Sequence, residues 1–262
     1  MDLNHLKAVA LAAAHEGGNF IRSRLDRTRR IEHKGEIDLV TEADLGAEKL
    51  IIDTIRTSFP DHTILSEEQG LTAGRTRYQW IIDPLDGTTN FAHGLTTCCV
   101  SIAVVKENQP LVGIVWSLFS EELFLAVRGE GAFLNGRRLS VSDADQVQDS
   151  LLATGFPYNV KEIMVPVMNR FTRCLEASQG IRRFGSAALD LCYVAAGRFD
   201  AYWEEQLHSW DTAAGHLIVT EAGGHVTDFN NCPFVPDMKS ILASNGRIHN
   251  QMLELLDLKG TE

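Results

Sequence analysis

At 262 residues, 44% of them hydrophobic, the chain can bury one large core or two smaller abutting ones, which excludes a disordered polymer. Its 35 acidic against 24 basic residues leave a formal charge of -11, which repels a nucleic-acid backbone except where basic residues are gathered. The five cysteines are odd in number and lack a C-x-x-C spacing, so they suggest neither a disulfide framework nor a zinc site and fit a reducing cytoplasm. The chain opens on MDLNHLKAVALAAAHEGG, an acidic start whose apolar residues Leu3, Leu6, Val9, Ala10 and Ala13 recur at helical spacing. This predicts a helix of the mature chain over about residues 3 to 30 rather than a leader. Gly17 and Gly18 weaken it by up to about 1 kcal/mol each. RSRLDRTRR at its end carries Arg22, Arg24, Arg27, Arg29 and Arg30, either a solvated helix end or an anion-binding arm. A second helix is predicted over TEADLGAEKLIIDTIRTSF, with Thr41 as cap and Asp44 in its first turn, where a carboxylate suits the positive helix end. No stretch approaches the roughly 18 apolar residues of a membrane span.

From Tyr78 to about Leu139 the pattern becomes strand-like and largely antiparallel: YQWIID, CCVSIAVVKE, PLVGIVWSL, ELFLAVRG and GAFLNGRRLSV, separated by turns such as that at Glu107 to Pro110. After Asp149 strands and helices alternate, from the strand SLLATGF to a terminal helix, which predicts an α/β half with a mixed sheet. The expectation is a layered stack of helices and sheets. An N-terminal α+β half covers residues 1–145 and a C-terminal α/β half residues 146–262, closely packed because no linker or repeat divides them.

IIDPLDGTTNF, residues 81 to 91, carries the chemistry. Trp80, Ile81 and Ile82 read as a short buried strand, and Pro84 turns the chain so that Asp83 and Asp86 face one side. Two converging carboxylates repel, and a divalent cation would cancel the cost; their hard oxygens, with the Leu85 carbonyl, suit Mg²⁺. Gly87 to Asn90 resembles a helix start whose free N–H groups suit a phosphate oxygen. The competing reading is a surface turn in which Asp86 merely caps a helix. HTILSEEQG adds Glu67 and Glu68 at a strand end, and WDTAAGHLIVTEAGG puts Asp211 at the start of a helix whose small residues permit close packing. Each has an ordinary alternative, an acidic loop or an N-cap. Asp44, Glu67, Asp83, Asp86 and Asp211 make five carboxylate positions, enough for the paired cations that drive in-line displacement at phosphorus. No phosphate loop of the G-x-x-x-x-G-K-[ST] type and no G-x-S-x-G elbow is present. The DGT triplet also occurs in aspartyl-phosphate phosphatases of the haloacid dehalogenase class. There the two aspartates stand two apart near the N-terminus, unlike Asp83 and Asp86.

These segments resemble the inositol monophosphatase family of lithium-sensitive, Mg²⁺-dependent phosphatases over nearly the whole chain. WIIDPLDGTTNFAHG and WDTAAGHLIVTEAGG match its two signatures; DLVTEAD, SEEQG, GEGAFLNGRRLSVS and RRFGSAALDLCYVAAGRFDAYWE agree in order and spacing. The resemblance implies a layered αβαβα sandwich, a cytoplasmic homodimer and two or three Mg²⁺ per active site. Carried over by position, Glu67, Asp83 and the Leu85 carbonyl hold one Mg²⁺, and Asp83, Asp86 and Asp211 another. Asp44 and Thr88, helped by Glu67, polarise the attacking water. The Gly87 and Thr88 N–H groups cradle phosphate, while Arg182, Ser186, Ala187 and Glu204 line the alcohol side together with Asp211. The implied reaction is hydrolysis of a phosphorylated polyol, with inositol 1-phosphate first and fructose 1,6-bisphosphate, histidinol phosphate and 3′-phosphoadenosine 5′-phosphate as alternatives. From another class, the fold could serve as an RNA- or protein-binding regulatory module. Glu205 and Gln206 depart from the apolar residue and glycine of the family, which predicts altered charge beside the alcohol pocket. IEHKGEIDLV matches the family's mobile loop over the metals.

Overall fold

The computed structural model describes residues 2–24, 31–33 and 39–258. Arg27, Arg29, Arg30 and the centre of the expected mobile loop lie outside the described residues. Asp2 caps the first helix, α1 (Leu3–Arg22), by accepting the Asn4 N–H at 2.9 Å. The helix stops near Arg22 rather than running to residue 30, because its buried stripe ends at Ile21 and only Leu25 follows among the arginines. Two three-residue strands that periodicity did not single out, β1 (Ile31–His33) and β2 (Leu39–Thr41), pair antiparallel before α2 (Glu42–Ser58). The capping expected of Thr41 lies outside the described side chains. Gly17 and Gly18 are points of close approach: a Cβ there would stand 2.6 Å from the Ile51 side chain of α2 and 2.5 Å from the Trp116 ring. Their propensity cost is thus offset by packing.

The next strands are β3 (Thr63–Ser66), β4 (Gly70–Thr72) and β5 (Tyr78–Asp86). After the short α3 (Thr88–Ala92) come β6 (Cys99–Lys106), β7 (Gln109–Ser117), β8 (Glu122–Val127), β9 (Gly131–Leu134) and β10 (Arg137–Arg138). They form an eight-stranded sheet in the order β10-β9-β8-β7-β6-β5-β3-β4, antiparallel except where β3 runs parallel to β5. Glu107 and Asn108, with φ of 52° and 63°, make the two-residue left-handed turn that joins β6 to β7. A 3-10 turn at Val147–Asp149 precedes β11 (Leu151–Thr154), α4 (Met164–Ala177), β12 (Gly180–Arg182), α5 (Ala187–Ala195) and β13 (Ala201–Glu205). Then follow α6 (Ser209–Glu221), β14 (His225–Thr227), β15 (Ser240–Ser244) and α7 (His249–Leu256). The second sheet, β12-β11-β13-β15-β14, is mixed: β11 is parallel to both neighbours and the other pairs are antiparallel. The change of sheet falls between Arg138 and Leu151.

Alternate side chains of the central strands go to different cores, which is why these strands read as continuous apolar runs. Trp80, Ile82, Val100, Ile102 and Val104 pack under α1 and α2, while Ile81, Cys99, Ala103 and Val105 face α5 and α6. The second sheet covers the other side of α5 and α6, and α4 and α7 cover its far face around Trp203, Leu242 and Met252. The result is five layers, α, β, α, β, α. Among the described residues no helix is long and apolar enough to cross a membrane.

The middle seam depends on small residues. Ala103, Gly113 and Ala126 stand side by side across β6, β7 and β8. A Cβ on Gly113 would lie 2.8 Å from the Ala214 carbonyl oxygen of α6. Because backbone, not a flexible side chain, lies against it, Gly113→Ala is expected to cost about 1–3 kcal/mol. The measurement is the denaturation midpoint, which falls while the m value stays constant.

Candidate active site

In a regular strand Asp83 and Asp86 would point to opposite faces, since side chains alternate with a period of two. Here β5 carries a bulge between them: Asp83 lies opposite Ser101 and Asp86 opposite Cys99, so three steps on β5 match two on β6. The extra residue brings both aspartates to the face that looks at α5 and α6. Pro84 therefore sits in a bulge within a strand that runs on to Asp86, not in a turn after a strand that ends near Ile82. A residue without an N–H is tolerated there. Leu85 points the other way into the core under α2, and its carbonyl oxygen lies 2.9 Å from Thr88 Oγ1. Thr88 Oγ1 is also 2.8 Å from Asp44 Oδ1, a fully buried carboxylate on α2.

The strand passes into α3 through Gly87, whose φ of 94° is left-handed and whose Cβ would stand 2.8 Å from the Thr97 carbonyl oxygen, so only glycine fits. Asp83 Oδ1 accepts the Leu85 N–H at 2.9 Å. Asp86 Oδ2 accepts from the Ser186 hydroxyl at 2.7 Å and the Ala188 N–H at 2.8 Å, so it holds the start of α5. Ser186, expected on the alcohol side, thus serves the carboxylate arm directly. Asp211 lies in the first turn of α6 and accepts the His208 N–H at 2.7 Å, one arm of a capping box. Glu67 follows β3, its N–H donating to the Ile82 carbonyl at 3.2 Å.

Burial first, then the facing charges of Glu67, Asp86 and Asp211, hold the Asp83 carboxyl well above the usual carboxylate range, with only the Leu85 N–H pulling down. Burial and then Asp86 do the same to Asp211, against the His208 N–H. Burial raises Asp86 as well, opposed by Ser186 and Ala188. Four acidic groups from two elements and a loop therefore act on one another. That donor set is all hard oxygen, which fits Mg²⁺ and not a soft metal. Among the described residues no three His, Cys, Asp or Glu side chains already converge on one point. One oxygen each of Asp83, Asp86 and Asp211 is held by a protein donor, so gathering around an ion would use the other oxygens.

On the far side of the site Glu204 is buried near the end of β13 and accepts the Tyr202 hydroxyl. A Cβ on Gly155 would stand 1.9 Å from Glu204 Oε2, so the carboxylate in this position occupies room that a side chain at 155 would take. Burial pushes Glu204 up to about 7, against the pull of the Tyr202 hydrogen bond and the Arg183 charge. Asp190 on α5 is buried nearby; burial, then Glu204 and Asp86, hold its carboxyl well above the usual range. The arginine acting on these two acids is Arg183, over the Phe156 ring at 5.9 Å. Arg182, the expected one, closes β12 and donates to the Ile181 carbonyl beside it; both arginines are exposed, and the charge that acts on the two acids is that of Arg183.

The departure at Glu205 also differs from expectation. Its carboxylate pairs with Arg170 of α4 at 2.9 Å, so the added charge arrives with its own counter-ion. Gln206 takes the glycine's conformation, φ 63°. Sequence reasoning passed over Tyr202, Asp190, Gly155, the action of Arg183 on Glu204 and Asp190, Asn90, and Glu48, whose buried carboxylate accepts the Glu68 N–H at 2.9 Å. Only Glu48 left a readable trace: it follows Asp44 by four residues and so shares its helix face.

The sequence model of the inositol monophosphatase family matches residues 2–259. A Haemophilus influenzae protein named Nus factor SuhB is 46% identical over 254 residues, covering 96% of this chain and 95% of that protein. An inositol-1-monophosphatase of Synechocystis is 43% identical over 257 residues, covering 97% and 90%. Among solved structures, an inositol monophosphatase from Anabaena (Nostoc) superposes with a TM-score of 0.89 at 39% identity, covering 98% of this chain and 96% of that one. Mycobacterium tuberculosis SuhB superposes with a TM-score of 0.81 at 31% identity, covering 97% and 96%. By sequence along its whole length and by its layered fold, the chain belongs to the inositol monophosphatase family.

Proposed function

We propose that the protein is a Mg²⁺-dependent phosphatase of small phosphate monoesters, with inositol 1-phosphate as its first substrate. The observation that carries this reading is the bulge in β5, which turns Asp83 and Asp86 together toward Asp211 and Glu67, beside a glycine-led helix start. Glu67, Asp83 and the Leu85 carbonyl would hold one Mg²⁺ and Asp83, Asp86 and Asp211 another; when bound, the ions supply an activated water and neutralise phosphoryl oxygens. Thr88 donates its hydroxyl proton to Asp44, which leaves the Oγ1 lone pairs to accept a proton of the attacking water and orient it. The water oxygen adds to phosphorus as the bond to the alcohol oxygen breaks, one proton of the water passing by way of Thr88 Oγ1 toward Asp44 and the leaving oxygen taking a proton from solvent, so no phosphoenzyme forms. The Gly87 and Thr88 N–H groups steady the phosphate, and Glu204 with Arg183 faces the departing alcohol. The free, mostly buried cysteines fit a reducing cytoplasm. The family resemblance also brings a homodimer with it.

Phosphate release from inositol 1-phosphate, fructose 1,6-bisphosphate, histidinol phosphate and 3′-phosphoadenosine 5′-phosphate with Mg²⁺ tests the reading, and silence on all four sinks it. Asp83→Asn and Asp211→Asn are expected to reduce turnover to background while the metal-free protein melts at the same or a higher temperature, since each removes one charge from a repelling cluster. Loss of folding in both would point instead to purely structural aspartates.

Glu204 generates a pH dependence. Above pH about 7 it is charged and accepts substrate hydroxyls; below, it is protonated and accepts less well. KM for inositol 1-phosphate is therefore expected to rise as pH falls from about 8 to about 6, and Glu204→Gln to flatten that rise. Because the folded-state pKa is raised, this group's stability contribution is fully present below its unfolded value and is lost as pH rises through about 7. Glu204→Gln should accordingly stabilise more at pH 8 than at pH 5, as read by melting temperature.

Relatives named Nus factor SuhB carry a name that states no reaction, and this favours a second reading, a regulatory module on the same fold. Within the basic segment Arg22 pairs with Glu121 at 3.0 Å and Arg24 lies over the Phe20 ring at 4.7 Å. An RNA-binding arm predicts salt-dependent retention on RNA that disappears when Arg27, Arg29 and Arg30 become alanine; elution of the wild type at low salt dismisses it.

A further inference from the structure

Asn90 belongs to neither the carboxylate cluster nor the alcohol pocket, yet it touches the supports of both. Its side chain is buried in α3, three residues after Gly87, and its amide nitrogen faces three carbonyl oxygens: Phe184 at 2.7 Å, Thr97 at 2.8 Å and Gly185 at 3.4 Å. An amide has two N–H hydrogens, and acceptors on every side fix which end of the group points there. The Thr97 bond is local and closes the loop from α3 to β6. Those to Phe184 and Gly185 span more than ninety residues and reach the loop between β12 and α5.

That loop has two jobs. Its C-terminal end supplies Ser186, and the first turn of α5 that follows supplies Ala188, to Asp86 at 2.7 and 2.8 Å, while its N-terminal end presents Arg183, whose charge acts on Glu204 and Asp190. Asp86 holds the first end to β5, and the Phe184 ring anchors the middle against Tyr193 and Phe199, with centroids 6.0 and 5.6 Å away. The Phe184 and Gly185 carbonyls between them are held by Asn90. The loop also approaches Asn90 closely: a Cβ on Gly185 would stand 3.3 Å from Asn90 Nδ2 and 2.5 Å from Arg183 Nη1. A shift of this backbone would thus carry the Arg183 guanidinium with it.

We propose that Asn90 is a positioning residue that sets the alcohol-side loop, residues 183–186, against the arm that carries Asp83, Asp86 and Gly87, and so determines how well a polyol leaving group is accepted. The role rests on the phosphatase reading. A residue that only closed its own helix–strand loop would have no reason to reach Phe184. Removing the amide leaves Asp86 to hold the loop at one end, so the phosphate side stays in register while Arg183 drifts relative to Glu204.

The test compares wild-type, Asn90→Ala and Asn90→Ser proteins, full length and with Mg²⁺. It uses inositol 1-phosphate as substrate, inorganic phosphate as competing inhibitor and amide hydrogen exchange as a structural readout. For Asn90→Ala we expect KM for inositol 1-phosphate to rise about tenfold while the inhibition constant of phosphate changes by less than about twofold. Exchange should speed up about tenfold at residues 184–186 and stay unchanged at residues 81–83. Asn90→Ser, which keeps one short donor, should lie between, and it carries the comparison if the alanine variant does not fold. Equal rises in KM and in the phosphate constant, or unaltered exchange in the loop, overturn the assignment to Asn90 alone. A wild-type protein that turns over none of the four esters named above overturns the phosphatase reading, and the substrate role of Asn90 with it.

Discussion

One extra residue in one strand sets the geometry from which the rest of the site follows. The bulge at Pro84 cancels the alternation of β5, so two aspartates that a regular strand would separate share a face. Their mutual repulsion, added to burial, disfavours charge on both, and Asp211 and Glu67 deepen it. A cluster of this kind is stable only if some charge is removed by protons or matched by cations. Near neutral pH the second route suits a site of hard oxygens.

The layered fold is what lets such a cluster assemble from distant parts of the chain. The helices α5 and α6 lie between the two sheets, so each belongs to both cores, and each contributes its first turn to the carboxylates. Asp86 holds the start of α5, while Asp211 rides on α6, which is pressed into the row of Ala103, Gly113 and Ala126. Positions are set by close-packed backbone at the seam and by helix starts at the rim. The side that carries Glu204 is built differently, from Glu204 and Tyr202 on β13 and a loop held by single side chains.

Much of this was legible in the residues. Runs such as WIID and VSIAVV marked strands buried on both faces, and the carboxylates at element ends marked the site, because polar groups interrupting apolar periodicity are conspicuous. What stayed hidden depends on register and on contacts across the fold. The bulge cannot be seen in DPLD without its partner strand, which is why a turn was expected there. Arg182 was preferred to Arg183 by its place in the family pattern, because which of two adjacent arginines acts on a carboxylate of another strand is set by the fold and not by local sequence. Glu205 looked like new charge in the pocket because its partner, Arg170, comes from a helix thirty-five residues earlier. Asn90 looked like part of a helix start, and Gly17 and Gly18 looked like defects, since nothing local announces Phe184 or Ile51.

The space beneath Glu204 has an evolutionary consequence. Because the carboxylate stands where a Cβ of residue 155 would be, the two positions, forty-nine residues apart, are coupled: a side chain at 155 requires the Glu204 side chain to move. A lineage that acquired a side chain at 155 would have to move, shorten or lose the acid at 204, and one that kept the acid in this position would keep the glycine. Change at either position along this branch of the family should therefore tend to arrive with change at the other, an inherited constraint that neither position records by itself.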